Sequence, residues 1–403
     1  MAVALLLAVS LLIGAPAEDY LADGLKALNA KQPAVAEPLL RKAVEADPMD
    51  VEAHFNLALA LSLQRKDPEA VAELRKTLEL QPKLYEADLN LGILLVRDKD
   101  PAGALVPLKE AVEAKPKEFR PNLYYAQALF DSGDVAGAER QFALTSDIDP
   151  KNPVALLGQA QVMLKLGKLP ESAEKFRAAG WKEGLLEVAM AYDHAGNKTD
   201  AIALYKEFPE NAGARQRLGE LQLDAGGDAA GAVANLEDAV RRAPTTSGRL
   251  ALADAYRMNK QPDKMLEQLQ LAAQGDPGNY EIRMSLGRAL RDGRKFVPAA
   301  LQFQAAAKLQ PDSAPAWNEL ASVLIVGENY VEGLAALDHV RALGKEIPGD
   351  YFLRAITLDK LKMKPQAMAA YQQFLEADKG AHEDQDFQAR QRIRIIGNEL
   401  KKK

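Results

Sequence analysis

Four histidines, His54, His194, His339 and His382, are the natural starting point for any metal or acid–base chemistry in this sequence. No two of them stand four residues apart on one helix face, and the H-E-x-x-H arrangement that holds zinc is absent. "HED" at His382 is not that motif, and each histidine reads as an ordinary helix or turn residue. The chain has no cysteine, which excludes disulfides, thiolate nucleophiles, cysteine-ligated zinc and a lipidated N-terminal cysteine. No nucleophile elbow, phosphate-binding loop or dinucleotide fingerprint occurs. "DAGGDAAG" is rich in glycine, but no strand precedes it and no lysine follows in place, so it reads as an interhelical turn. The carboxylates scatter over surfaces that a helix shows to water. No catalytic residue, cofactor-binding residue or metal ligand is singled out, and no cofactor is implied. The chemistry open to this sequence is recognition through surfaces.

Those surfaces must be carried by helices. Of 403 residues, 48% are apolar, 27% charged and only 6% aromatic, a balance that suits helices packed through Leu and Ala. Net charge is −6, which lacks the basic footprint of a nucleic-acid binder. Pro48, Pro82, Pro116 and Pro150 are 34 residues apart, each closing a phrase such as "AVEADP". Proline pushes the residue before it out of the helical region, so the phrase is the last turn of a helix and its stop. Between two such stops lie two runs with helical spacing. In one unit Leu91, Leu94 and Leu95 mark a first helix and Ala104, Leu105, Leu108, Ala111 and Val112 a second. "RDKDPAG" joins them, with Asp100 placed as N-cap and Pro101 at the first helical position.

Counted from Ala17, three columns recur. The eighth position is Gly or Ala throughout, including Gly24, Ala58, Gly92, Ala126, Gly287 and Ala321. The twentieth is small, as at Ala36, Ala104 and Ala138. The twenty-fourth is large, as at Leu40, Leu108, Phe142 and Phe303. Small residues belong where two helix backbones come close, and the large one fills the space beside them. Gly24, Ala58, Gly92, Ala126, Ala138, Gly287 and Ala321 are therefore expected to be packing positions.

This register resembles the tetratricopeptide repeat (TPR) family, over about Ala17 to Ala377. Leu91-Gly92, Leu218-Gly219 and Leu286-Gly287 keep the central pair of the family's first-helix motif; Trp317 with Leu320 and Ala321 keeps its tryptophan; Tyr192 and Tyr256 keep its tyrosine. The resemblance implies an all-α fold, a right-handed α-solenoid of about eleven helix-turn-helix repeats, and a protein or peptide ligand with no nucleic acid. It also implies that first helices line an inner groove. The candidate groove residues are Leu21, Leu25, Phe55, Leu59, Leu89, Ile93, Leu123, Gln127, Phe130, Leu157 and Gln161 in the first half, and Arg288 and Arg291 in the second. The first set is unusually apolar for a solvent face, so it is either a ligand surface or is filled internally. The lysine and asparagine needed by the family's chaperone-tail clamp are replaced in the first unit by Leu21 and Leu25.

The expected organisation is a signal peptide at 1–17, repeats one to five at 18–180, a truncated repeat with a register break at 181–211, repeats seven to eleven at 212–377, and a basic capping helix at 378–403. The break is visible in the prolines: Pro150 and Pro244 are 94 residues apart, eight short of three periods, with losses near "RAAGWKEG" and "KEFPENAG". In the last segment Ala389, Ile393, Ile396 and Leu400 share one helical face, as a cap over an apolar end requires. The apolar run Ala2–Ile13, followed by Ala15-Pro16-Ala17 and two acids, has the form of a secretory signal, although no Lys or Arg precedes Lys26. The expectation is an exported, periplasmic or extracellular, non-catalytic scaffold with no integral membrane domain.

Overall fold

The computed structural model describes residues 17–224 and 228–401, so the signal-like run at 1–16 and the glycines at 226 and 227 lie outside the described residues. Every element among them is a helix. The chain divides into two compact units, Met1–Leu204 and Tyr205–Lys403. The first holds the pairs α1 (Ala17–Asn29) and α2 (Pro33–Ala46), α3 (Val51–Leu63) and α4 (Asp67–Leu80), α5 (Tyr85–Arg97) and α6 (Pro101–Ala114), α7 (Phe119–Asp131) and α8 (Val135–Ile148), and α9 (Pro153–Lys165) and α10 (Leu169–Ala179). It closes with α11 (Lys182–His194) and α12 (Lys198–Tyr205), whose last residue falls across the division. The second unit holds α13 (Ala212–Asp224) and α14 (Ala229–Arg242), α15 (Thr246–Met258) and α16 (Pro262–Gly275), α17 (Tyr280–Asp292) and α18 (Phe296–Leu309), α19 (Ala314–Val326) and α20 (Tyr330–Ala342), α21 (Pro348–Lys360) and α22 (Lys364–Asp378), and the final α23 (Glu383–Lys401). Consecutive helices from α1 to α11 and from α13 to α23 pack on one another, as an α-solenoid requires.

Local signals explain where helices start and stop. Asp100 caps α6, accepting from Gly103 N at 2.9 Å, with Pro101 in the first turn. Asp50 caps α3 through Glu52 N and Ala53 N. Gln81, Lys115 and Asp149, each before a closing proline, leave the helical region at φ near −135°. Among the described residues, the turn inside a unit uses one left-handed residue. Gly133 and Gly167 take that place without strain, whereas Lys31, Arg65, Lys99, Lys260, Arg294, Glu328 and Lys362 take it with a side chain. The register break is a shortening of second helices: α10 has 11 residues and α12 has 8, against 14 in α2, α4, α6 and α8. α10 ends on Gly180 in the left-handed conformation.

The three columns form the core. The small residues of the eighth position are buried, and so are Leu40, Leu74, Leu108, Phe142, Phe176, Leu236, Phe303 and Leu337 opposite them. A β-carbon built on Gly92 would lie 2.3 Å from Leu108 Cγ; on Gly24, 2.6 Å from Leu40; on Gly287, 2.6 Å from Phe303. In the second unit α23 covers the apolar side of α22, burying Ala389 and Ile396, with Ile393 and Leu400 packed beside them. Arg392 fastens it through two bonds to Asp359, at 2.7 and 2.8 Å.

A polar ladder runs beside this core. His54 Nδ1 meets Glu73 at 2.6 Å, Gln141 donates to Asn122 at 2.6 Å, and Arg283 donates to Gln302 at 2.7 Å, always 19 residues apart. Asp88 holds the same place in α5, but the residue 19 further on is Pro107, which has no donor. Asp88 is buried, and burial, reinforced by the nearby Glu110 and opposed by Lys83, pushes its carboxyl up to about 6.

Two outcomes follow. Gly92→Leu is expected to destabilise the fold by about 1–3 kcal/mol, because Leu108 has nowhere to go, whereas Gln127→Ala on the first-helix face costs far less. Denaturant unfolding followed by helical circular dichroism distinguishes them, and equal effects would refute the packing register. For Asp88 the folded value lies above the unfolded one. Its ionisation therefore opposes folding in full above about pH 6, and that opposition fades as pH falls from there to the unfolded value and is nearly gone below it. Asp88→Asn should accordingly stabilise the chain by about 1–3 kcal/mol at pH 7.5 and by almost nothing near pH 3.5. A gain that does not depend on pH would contradict this origin.

Candidate functional site

In the first unit the helices α1, α3, α5, α7, α9 and α11 are the first members of their pairs, and neighbours among them touch directly, as α5 does α7 and α7 does α9. Their shared face carries the expected groove residues. Leu21, Leu25, Phe55, Leu59, Ile93, Leu123, Gln127, Phe130, Leu157 and Gln161 are all half-buried. Leu89 is a correction: at 7% exposure it belongs to the core, because α5 turns that side chain into the packing between helices. Leu21, Phe55 and Ile93 rest against the same core, and Leu123 and Phe130 against the next cluster along. The row is thus partly filled by its own neighbours, with an open edge. Gln127 is tied down by a 2.9 Å bond to Asp131.

The face is most open at two places. Leu63, at the end of α3, is 65% exposed. Further along, α7, α9 and α11 enclose a cleft of about 510 Å³ lined by Phe130, Gln161, Leu164, Lys165, Glu187, Met190, Ala191 and His194. Phe130 and Gln161 were legible from the sequence. Met190, 44% exposed, was not, because it lies past the point where the register slips; Leu164 stands before the slip, three residues after Gln161 on α9. The cleft joins four apolar side chains to one amine, one carboxylate, one carboxamide and one imidazole. Such a site grips by burying side chains and uses its few polar groups for orientation.

The first-helix face of the second unit is polar and already paired. Gln216 donates to Glu220 at 2.9 Å, and Arg217 pairs with the same carboxylate at 2.8 Å. Arg257 lies 3.3 Å from Asp254. Arg288 Nε donates to Glu319 Oε1 at 3.0 Å, while Arg291 reaches the other oxygen of Glu319 and also Asp292 at 3.0 Å. Arg288 and Arg291, expected as groove residues, are therefore held by a carboxylate of the next first helix, and an acidic ligand would have to displace Glu319 to use them.

Outside the cleft, the other three histidines serve packing and capping. His54 is buried between Glu73 and the Pro48 carbonyl. His382 bonds Asp378 at the start of the last turn before α23. His339 stacks on Trp317 with ring centroids 4.0 Å apart. Among the described residues no group of three His, Asp or Glu side chains is placed to hold a metal ion, and no helix is long and apolar enough to cross a membrane. Sequence reasoning missed a second opening, a cleft of about 440 Å³ on the second-helix side of α18, α19 and α20. Its signal was present in α18, which has no charged residue from Phe296 to Ala307.

Comparison with known proteins gives a family and a set of distant shapes. The family model described as tetratricopeptide repeat matches residues 21–85, 125–180 and 284–346. Similar solved structures include MamA, residues 41 to the end, from Desulfovibrio magneticus RS-1, with 20% identity and a TM-score of 0.39 over 42% of this chain and 97% of that one. YrrB, described as a TPR protein with an unusual peptide-binding site, has 20% identity and a TM-score of 0.39 over 45% of this chain and 92% of its own. Pseudomonas aeruginosa pilF has 21% identity and a TM-score of 0.37 over 48% and 90%. No curated protein matches the sequence.

Proposed function

We propose that this chain, which matches the tetratricopeptide repeat model over three stretches, is a non-catalytic scaffold that captures a partner protein on the first-helix face of its first unit. The observation that carries this reading is the apolar row from Leu21 to Phe130, which opens into the cleft at Met190. A partner segment, extended or helical, would lay apolar anchors along the row and seat one in the cleft. Affinity then comes from a few desolvated side chains, so moderate salt weakens it little. The self-paired face at Arg288 and Arg291 supports the same choice, since its charges are satisfied within the chain.

A photo-crosslinking residue placed at Met190 or Leu63 in the native cell should trap a partner, while one at the outward Val106 should not. Phe130→Asp should abolish the Met190 adduct and leave helix content unchanged. Trapping that persists in Phe130→Asp, or that is lost instead in Arg288→Gln with Arg291→Gln, would move the site to the second unit.

The same reading extends to the cell envelope. The run Ala2–Ile13 followed by Ala15-Pro16-Ala17 supports export with removal of residues 1–17. There, a scaffold of this kind would serve the assembly of a larger complex, such as a pilus, a secretion system or a polysaccharide machine, or would recruit substrate to an envelope enzyme complex. N-terminal sequencing of the protein from its own cells should read from Glu18. A chain recovered with the cytosol and starting at Met1 would refute export while leaving the binding site intact.

A further inference from the structure

The second unit presents an apolar surface that the first-helix reading does not use. α18 and α20 hold the same place in consecutive units, 34 residues apart, so they run in the same direction. α19 packs against both and forms the floor between them. The cleft of about 440 Å³ along this trough has Val297 and Leu301 on one wall, Trp317 and Leu324 on the floor, and Glu332 and His339 on the other wall. Val297 is 76% exposed and Leu301 59%. Val331, just after the start of α20, is exposed as well. An outer helix of a solenoid ordinarily keeps charge on this side, yet α18 offers none before Lys308.

Charge reappears at the ends, and with opposite signs. Arg294 and Lys295 immediately precede α18, whereas Glu328 and Glu332 flank the start of α20. All four are exposed, and none enters an ion pair among the described residues. Both helices start at the same end of the trough. A surface that pairs a basic start on one helix with an acidic start on its neighbour complements a copy of itself. If a two-fold axis runs along the helices, each α18 meets the other copy's α20 side by side, and each basic start faces an acidic one. The same patch then serves both partners, as a closed two-fold contact requires.

We propose that this face of the second unit is a homodimer interface, with α18 of each copy seated against α20 of the other. Leu301 and Val297 fill the partner's trough, and the pairs Arg294 or Lys295 with Glu328 or Glu332 set the parallel orientation. The interface uses no residue of the first-helix face of the first unit, so substitutions can test capture of a partner segment and pairing of copies separately.

The full chain with Trp181→Phe keeps Trp317, in the trough floor, as its only tryptophan. Sedimentation velocity from about 1 to 100 µM should show reversible dimers, with Trp317 emission shifting to the blue as the dimer forms. Leu301→Asp, at an exposed position, should raise the dissociation constant at least about tenfold with helix content unchanged. Lys295→Glu and Glu332→Lys should each weaken the dimer, by about fivefold, and the double variant should recover to within about twofold. A chain that stays monomeric over this range, even if an added foreign peptide enters the trough, overturns the proposal. So does a dimer indifferent to Leu301→Asp, or one that the double charge exchange does not rescue.

Discussion

One contact sets the geometry of this molecule: a residue with little or no side chain in the middle of each first helix, pressed against a large side chain from the second. With 2.3 Å between a hypothetical β-carbon at Gly92 and Leu108, the two helix backbones can reach that separation only if the side chain is missing. Where alanine stands instead, as at Ala58 and Ala126, it is buried to 1% or less, so even one carbon is fully used. The contact recurs at Gly24, Gly219 and Gly287. Because each unit repeats it, stability is spread along the chain, and most of it comes from neighbours in sequence. Residues outside the contact are then released from packing duty and are free to become a binding surface.

This division explains what the sequence reveals and what it hides. The packing columns repeat every 34 residues because each unit solves the same steric problem, so period alone locates them. Caps are legible for the same reason: Asp100 before Pro101 has a single use. Exposure is not a property of a column. Leu89 and Ile93 lie one helical turn apart on α5, yet only Leu89 is buried, which depends on how the adjoining first helix sits. The pairing of Arg288 with Glu319 spans 31 residues and two helices, and neither residue type predicts it. The left-handed turn residues are hidden as well: glycine announces itself at Gly133 and Gly167, but Lys31, Lys99 and Lys362 adopt the same conformation without a glycine to mark it.

The polar ladder adds a second kind of constraint. Pairs such as His54 with Glu73 and Asn122 with Gln141 are individually modest, since exchange with water offsets much of each bond. Their constant spacing nonetheless penalises any slip of the second helix against the first, because a slip leaves both groups buried and unpaired. Asp88 shows the result where one rung is lost: with Pro107 in place of a donor, a carboxylate is left in surroundings that disfavour its charge. Pro107 itself sits inside α6 and is buried.

The two units distribute charge differently, and the difference bears on how such a chain is used. On the first-helix face of the first unit the half-buried side chains are largely apolar, whereas in the second unit Arg217, Arg257, Arg288 and Arg291 are matched by carboxylates within the chain. On the second-helix side the contrast reverses at α18, where an apolar wall stands against the usual charged surface. Apolar exposure opposes solubility unless something covers it. A chain with a net charge of −6 and no free thiol can tolerate a little of it, but clustered Val297, Leu301 and Val331 are more than scattered exposure. Two apolar surfaces on different units, each bounded by its own charges, allow one to be occupied without competing for the residues of the other. A solenoid permits this because its core is a line of small contacts rather than a single centre, so separate stretches of surface can be altered without disturbing a common interior.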